Sequence, residues 1–292
     1  MTTRRIIDAH HHLGAEDGYA ERLAETCQKL SIVKVCLVCT KVPGDERDNN
    51  ACTREAFEKH PDLFVGFGGV DMWASNGPDQ VQALRDLGFK GLKFIIPPKP
   101  YHDTSFYPTY ESAQKLGMPV LFHLGIVARS RNRSVRVDND LMRPVYLDTI
   151  ARDFPELTII GAHLGNPWYD EAAMACRWNP NLYFDLSGST LKYRTPEYLA
   201  GLLWWTPTTF YSDTEGRYAW EKIVFGSDVN WTYIKDVLND YEHLMTSLNL
   251  QPALCESILH DTMARILGLQ DKPAAAASKS PSRRARAARR KP

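Results

Sequence analysis

Short apolar runs without a polar face recur along this chain, and helix-like segments lie between them. Runs such as Val35–Val38 and Val120–Phe122 are typical of strands covered on both faces, as in parallel sheets. We predict eight strands in all. They cover Arg5–Ala9, Val33–Cys39, Phe64–Gly68, Gly91–Ile95, Pro119–His123, Leu157–Ala162, Leu182–Leu186 and Lys222–Gly226.

The segments between the predicted strands have helical spacing of their apolar residues. The clearest predicted helix covers 233–248, where these residues form one continuous stripe. Another covers 141–154, with Asp140 as its N-cap and Pro155 beyond its end. Eight strands alternating with helices over about 265 residues predict an α/β fold, a (β/α)8 barrel of the TIM type. A doubly wound open sheet is the alternative.

The C-terminal segment differs in composition from the rest of the chain. Eight of the 35 basic residues but only one of the 35 acidic residues lie in 271–292, so this segment carries +7 and the body −7. It has no large apolar side chain to bury, so we predict a barrel domain over 1–270 and a disordered basic tail over 271–292. An acidic body argues against binding of nucleic acid on the folded surface, which needs clustered Lys and Arg. Weak nucleic-acid contacts of the tail remain open.

Cysteine usage and the length of the apolar runs favour a cytoplasmic protein without a membrane partner. Six cysteines in 292 residues do not form the dense framework of a small secreted domain. No apolar run approaches the about 18 residues of a membrane span, and we expect no signal region. Cys36 and Cys39 are three residues apart on a predicted strand, which sends their sulfurs to opposite faces. We therefore predict that both are core residues.

The first predicted strand ends in Asp-Ala-His-His-His, residues 8–12. Side chains along a strand alternate between its faces, so His10 and His12 point the same way and His11 points away. Two imidazoles on one face at the end of a strand form half of a metal site.

Three further polar residues stand at the ends of predicted strands. His123 ends the fifth predicted strand, His163 follows the sixth, and Asp228 follows the eighth. In a (β/α)8 barrel the active site is built where the strands end, so these groups converge with the first-strand histidines. Imidazoles and a carboxylate around an open position suit one divalent ion, zinc first, with manganese or iron as alternatives.

These motifs resemble those of the amidohydrolase superfamily. The resemblance is to its amidohydrolase-2 branch, which includes carboxymuconate-semialdehyde-type decarboxylases, resorcylate-type decarboxylases and lactone hydrolases. It covers roughly residues 5–269 and departs from the branch at the closing helix, where this chain has Asp-Thr-Met-Ala-Arg over 261–265. The motifs that carry it lie at 8–12, 122–125, 161–165 and 225–228, together with a closing helix at Ile258–Leu269.

The resemblance implies roles for the residues at strand ends. His10, His12, His123 and Asp228 would bind one divalent metal ion. His163 would lie beside the ion as an acid, a base or an oxyanion-stabilising group, which makes Asp228 and His163 the candidate catalytic residues.

Candidate substrate contacts are less well defined by the sequence. Lys93 lies toward the end of the fourth predicted strand. The resemblance implies that binuclear members of the superfamily can carry a carboxylated lysine there, and that a residue there can contact the substrate in mononuclear members. Arg129 follows the fifth strand and can clamp a substrate carboxylate, and Trp231 follows the eighth. The alternative for Lys93 is a lysine paired with a neighbouring carboxylate at the barrel rim, and the alternative for Arg129 is a solvated basic loop.

Two enzymatic reactions fit the same residues. The first is hydrolysis of a small amide, ester or lactone by a metal-activated water, with Asp228 as the base. The second is non-oxidative decarboxylation of an aromatic or unsaturated acid. The non-enzymatic alternative is a barrel that serves only as a binding scaffold. It predicts that some of the candidate metal ligands have been replaced, and none of them has been. We favour the hydrolase, with a small-molecule substrate and a homo-oligomeric assembly.

Overall fold

The carboxyl ends of eight parallel strands lie side by side in this protein. The structure is a computed structural model, which describes residues 5–45, 47–128, 135–208 and 216–269. Arg129 and the predicted basic tail over 271–292 lie outside these residues. The strands are β1 Ile6–His11, β2 Ile32–Val38, β3 Phe64–Gly69, β4 Gly91–Phe94, β5 Val120–Phe122, β6 Ile159–Gly161, β7 Leu182–Asp185 and β8 Ile223–Val224.

The strands pair in chain order, β1 to β8, and every pair is parallel. Backbone bonds next to β8 return the sheet to β1: Ala9 N donates to Phe225 O at 2.8 Å, and Asp228 N donates to His10 O at 2.7 Å. The predicted (β/α)8 barrel is therefore confirmed. The open-sheet alternative is wrong, because its strand order would depart from the chain order.

Helices cover the outside of the barrel. The predicted helix at 233–248 is confirmed with bounds Ile234–Ser247. In chain order the helices are α1 Tyr19–Leu30, α2 Asn49–Lys59, α3 Gly77–Asp86, α4 Tyr107–Lys115, α5 Pro144–Asp153, α6 Tyr169–Trp178, α7 Ser189–Tyr193, α8 Pro196–Leu202, α9 Ile234–Ser247, α10 Pro252–Glu256 and α11 Thr262–Ile266.

The predicted start of α5 is wrong. Asp140 lies inside a short 3-10 turn, Asn139–Met142, and the carboxylate that caps this turn belongs to Asp138. The α-helix itself begins at Pro144 without a side-chain cap. Proline lacks an N–H and has a fixed φ, so it is favoured in the first turn and marks the start of the helix.

Apolar side chains form two layers, one inside the barrel and one between the barrel and its helices. Cys36 belongs to the inner layer and Cys39 to the outer layer, and both are free thiols, which confirms that they are core residues on opposite faces. Met263 and Ala264 of α11 join the inner layer. Thr262 of the same helix donates to the carbonyl of Glu221, just before β8. This helix thus closes the end of the barrel where the strands begin, which leaves the other end open for a site.

Among the described ranges no helix combines the length and the apolar character that a bilayer crossing requires.

Candidate active site

The end of β1 places two imidazoles in fixed orientations. His10 is 1% exposed, and its Nδ1 donates to Asp185 Oδ2 at 2.9 Å. His12 Nδ1 donates to the carbonyl oxygen of Val38 at 2.7 Å. Because these oxygens accept hydrogen bonds, each ring carries its proton on Nδ1 and leaves a lone pair on Nε2.

The residues after β6 and β8 bring two more polar groups to the same place. His163 and Asp228 adopt left-handed backbone conformations, with φ of 60° and 46°. Such values are uncommon for residues other than glycine and frequently mark functional sites. Here the turns follow the ends of β6 at Gly161 and β8 at Val224 within a few residues, so the side chains remain at the open end of the barrel.

Asp228 lies at the centre of the cluster. Its Oδ1 is 3.4 Å from His12 Nε2 and 3.8 Å from His10 Nε2, and its Oδ2 is 3.7 Å from His163 Nε2. Ligand atoms of His10, His163 and Asp228 all lie within 4.8 Å of one another, close enough for one ion. By its distance to Asp228, His163 is therefore as well placed to bind the ion as the predicted ligands His10 and His12.

His123 follows β5 and completes the cluster. Its ring centroid lies 5.1 Å from that of His163. Tyr101 OH donates to the His123 carbonyl at 2.9 Å, which fixes the end of this strand. The Nε2 atom of His123 is buried and has no hydrogen-bond partner among the described residues. An unpartnered nitrogen beside the donor atoms of His10, His12, His163 and Asp228 is consistent with a metal ligand, so the donor set fits a divalent ion.

Burial favours the neutral form of three of these imidazoles, those of His12, His123 and His163. It lowers the pKa of His12 to about 4 against the opposing pull of Asp228, and it lowers the pKa of His123 well below its usual range. Burial also lowers the pKa of His163, although Asp185 and Asp228 oppose this shift. Neutral imidazole is the form that binds metals, so these three rings are in the form that a ligand needs near neutral pH.

Two carboxylates at the site stay ionised, because the neighbouring imidazoles lower their pKa by more than burial raises it. Burial by itself would raise the pKa of Asp228, but His10, His12 and His163 bring it below its usual range. The pKa of Asp185 also lies well below its usual range despite burial, because His10 and His163 surround this carboxylate.

Lys93 is the one cationic side chain that the described residues place in contact with these imidazoles. It lies on β4, is 1% exposed, and its Nζ is 3.4 Å from His10 Nε2. Burial lowers the pKa of Lys93 to about 8, against the pull of Asp228 and Asp185. Lys93 thus lies beside His10 at the open end of the barrel, and its predicted role in substrate binding stays a prediction.

A second layer of hydrogen bonds supports the end of β1 from behind. His11 points away from the cluster, as predicted, and bonds to Ser227 Oγ at 2.8 Å and Tyr19 OH at 3.1 Å. Asp8 accepts the backbone N–H groups of Ser227 at 2.9 Å and of His10 at 3.1 Å. This layer ties β1 to the segment that carries Asp228.

With this geometry established, a family profile described as Amidohydrolase matches residues 7–269. The chain belongs to the amidohydrolase family. The resemblance seen in the sequence is thereby confirmed, and the protein is an enzyme of this family.

Solved structures share the fold of this amidohydrolase at low sequence identity. One is an amidohydrolase from Burkholderia multivorans with bound zinc, with a TM-score of 0.64 and 15% identity, covering 90% of this chain and 99% of that one. Another is a probable 2-pyrone-4,6-dicarboxylic acid hydrolase from Acinetobacter baumannii, with a TM-score of 0.61 and 14% identity over 90% and 99%. A third is the manganese complex of 5-carboxyvanillate decarboxylase from Novosphingobium aromaticivorans, with a TM-score of 0.63 and 13% identity over 91% and 96%. No curated protein matches the chain.

The predicted substrate contacts have different outcomes in the amidohydrolase structure. Trp231 follows β8 and is half-buried, with its backbone N–H donating to Tyr19 OH at 3.3 Å, and contact with a substrate stays a prediction. Arg129 lies outside the described residues. A cavity of about 190 Å³ adjoins His12, whereas a larger cleft of about 490 Å³ lies outside the barrel between α2 and α3.

Sequence reasoning missed Asp185 and Ser187. Both stand at the end of β7, in Phe-Asp-Leu-Ser-Gly, residues 184–188. The signal that identified the other site residues, a polar side chain where a predicted strand ends, was present there as well. These two residues bind the histidines rather than facing the centre, and the sequence alone does not distinguish the two arrangements.

Proposed function

We propose that this protein is a metal-dependent hydrolase that acts on a small amide, ester or lactone. The observation that supports it most is the convergence of imidazole Nε2 atoms on the Asp228 carboxylate at the open end of the barrel. Hydrolysis needs a carboxylate beside the reacting water and a second proton carrier within reach. Asp228 and His163 supply this pair, with 3.7 Å between Oδ2 and Nε2.

Four residues would hold the ion: His10, His12, His123 and Asp228. Three imidazole nitrogens and one carboxylate oxygen favour zinc, with manganese as the alternative. When bound, such an ion lowers the pKa of a water molecule toward about 7 and polarises a carbonyl oxygen.

The side chains move the protons. Asp228 stays ionised because its pKa lies below the usual range, so its carboxylate accepts the proton of the attacking water. It then releases this proton to the leaving group. The neighbouring Nε2 of His163 accepts or returns a proton as the charge on the substrate changes.

Decarboxylation of an aromatic or unsaturated acid is the second candidate, and Lys93 is the observation that favours it. A substrate carboxylate needs a cation in a buried site, and the Lys93 amine lies 3.4 Å from His10 Nε2. In this reaction Asp228 or His163 would protonate the carbon from which carbon dioxide departs.

A product screen by mass spectrometry tests the two candidates. The zinc- or manganese-loaded protein is incubated with lactones, esters, amides and aromatic acids, with His163→Ala as the inactive control. Products that gain one water and require His163 support the hydrolase. Products that lose carbon dioxide overturn it in favour of the decarboxylase, and then Lys93→Met is expected to abolish turnover.

A further inference from the structure

The segment that follows β7 surrounds His163 on several sides. Asp185 Oδ1 accepts the backbone N–H of His163 at 3.0 Å, and Thr190 Oγ1 donates to its carbonyl at 2.7 Å. Ser187 Oγ lies 2.9 Å from the ring nitrogen Nδ1. At Gly188, with φ of 69°, a Cβ would lie 3.1 Å from this nitrogen, so glycine leaves room for the ring. Both the backbone and the ring of His163 are therefore held by one short stretch of chain.

A second hydrogen bond of Ser187 decides which partner is the donor in the hydrogen bond between Ser187 and His163. Ser187 Oγ lies 2.5 Å from Asp185 Oδ1. An ionised carboxylate only accepts hydrogen bonds, so a contact this short needs the hydroxyl proton between the two oxygens. A serine has one hydroxyl proton, which leaves its oxygen free to accept from His163. The proton of the neutral His163 ring therefore belongs on Nδ1.

The opposite tautomer would break this arrangement. With the proton on Nε2, Nδ1 would need the hydroxyl proton of Ser187, and the lone pairs of the serine and Asp185 oxygens would face each other. Asp185 Oδ1 is also the acceptor for the backbone N–H of Ser187 at 2.9 Å, so the carboxylate is held in place by several donors. Its other oxygen binds His10 Nδ1, so one carboxylate orients two imidazoles.

We propose that Ser187 is a positioning residue that, with Asp185, fixes His163 in the tautomer with its proton on Nδ1. The lone pair of Nε2 then faces Asp228 Oδ2, 3.7 Å away. His163 thus enters the reaction as a proton acceptor, and it donates from Nε2 only after it has taken up a proton there. This consequence for catalysis rests on the proposed function, whereas the tautomer does not.

Nitrogen NMR of the ring tests the tautomer directly. Full-length protein labelled with ¹⁵N-histidine is studied metal-free and zinc-loaded at pH 8, and the His163 signals are assigned by their loss in His163→Gln. We expect Nδ1 to show the shift of a protonated nitrogen, while Nε2 does not. In Ser187→Ala a mixture of tautomers or the opposite tautomer is expected, and Ser187→Thr restores the parental spectrum.

The kinetic counterpart uses whichever substrate the product screen identifies. Ser187→Ala is expected to lower kcat by about 10–100-fold with little change in KM and a shifted pH profile, because loss of an outer hydrogen-bond partner costs about this much. Ser187→Thr restores most of the rate. Ser189→Ala, at an exposed serine two residues away, leaves both the rate and the spectrum unchanged.

The outcomes separate this proposal from the proposed function. A parent spectrum with the proton on Nε2 overturns the proposal whatever the activity is. A parental spectrum and kcat in Ser187→Ala overturn it as well, since Ser187 would then be dispensable. If no substrate is converted, the proposed function fails, but a tautomer that depends on Ser187 still supports the proposal.

Discussion

Loss of the Asp228 carboxylate tests the candidate metal centre most directly. The Asp228 oxygens lie 3.4–3.8 Å from three imidazole Nε2 atoms. Among the described residues, Asp228 is the one carboxylate in the group close enough to hold a single ion, which it forms with His10 and His163. Asp228→Asn keeps the shape of the side chain and removes the negative charge. We therefore expect zinc affinity to fall at least about 100-fold, more than for loss of an outer partner of a ligand.

The size of the effect follows from linkage. Zinc at 100 times its Kd stabilises the folded parent by about 2.7 kcal/mol. For a domain of this size, each kcal/mol raises Tm by about 2–4 °C, so the expected shift is about 5–11 °C. In Asp228→Asn the same zinc concentration would equal Kd or less, which leaves at most about 0.4 kcal/mol and about 1–2 °C.

Differential scanning calorimetry of chelator-treated protein, with and without zinc, measures both shifts. Asp62→Asn is the matched control, because Asp62 is exposed in the turn before β3, where the strands begin. This control is expected to keep the parental shift. A zinc-induced shift in Asp228→Asn as large as in the parent would refute the assignment of Asp228 as a ligand, and equal losses in both variants would show that zinc acts elsewhere.

Three further predictions concern the surroundings of the centre. Asp185→Asn is expected to weaken zinc binding about 10–100-fold in calorimetric titration. The two oxygens of Asp185 accept hydrogen bonds from His10 and from the Ser187 hydroxyl, and an amide has only one oxygen that can accept. An unchanged Kd would contradict this. Gly125→Ala is expected to destabilise the protein by at least about 3 kcal/mol in urea unfolding, since its Cβ would lie 1.6 Å from the carbonyl oxygen of Asn166. Gly117→Ala is the control at another positive φ with nothing within 4 Å, and an equal loss in both would show that φ alone decides the cost. Without metal, the free energy of unfolding is expected to be constant above pH 6.5 and to fall as the pH drops below it. Burial lowers the pKa of His11 from 6.5 in the unfolded chain to about 3 in the folded protein, so between these values only the unfolded chain takes up the proton. Urea midpoints that stay the same between about pH 7.5 and about pH 5 would contradict this.

Most of the architecture could be predicted from the sequence because barrel strands are apolar on both faces. All eight predicted strands overlap the observed ones, and His10, His12, His123, His163 and Asp228 meet because each stands near the carboxyl end of a strand in a closed parallel barrel. The fold therefore converts positions far apart in the chain into one cluster.

The parts that could not be predicted depend on side-chain orientation and on local competition. Asp140 has the composition of a helix cap, but Asp138 caps the preceding turn and Pro144 starts the helix. Asp185 stands at a strand end like Asp228, yet its carboxylate binds the Nδ1 atom of His10 and does not face the Nε2 atoms at the centre. Which nitrogen of a histidine faces the centre depends on such partners, and residue spacing carries no information about it.

The hydrogen bonds that join the last strand of the barrel to the first lie at the candidate centre itself. β8 has only two residues, and the junction with β1 depends on the amides of Ala9 and Asp228, the second of which donates to the His10 carbonyl. The hydrogen bond that closes the sheet is therefore the same one that holds His10 and Asp228 side by side. A change that separates the first strand from the last would also separate these two candidate ligands.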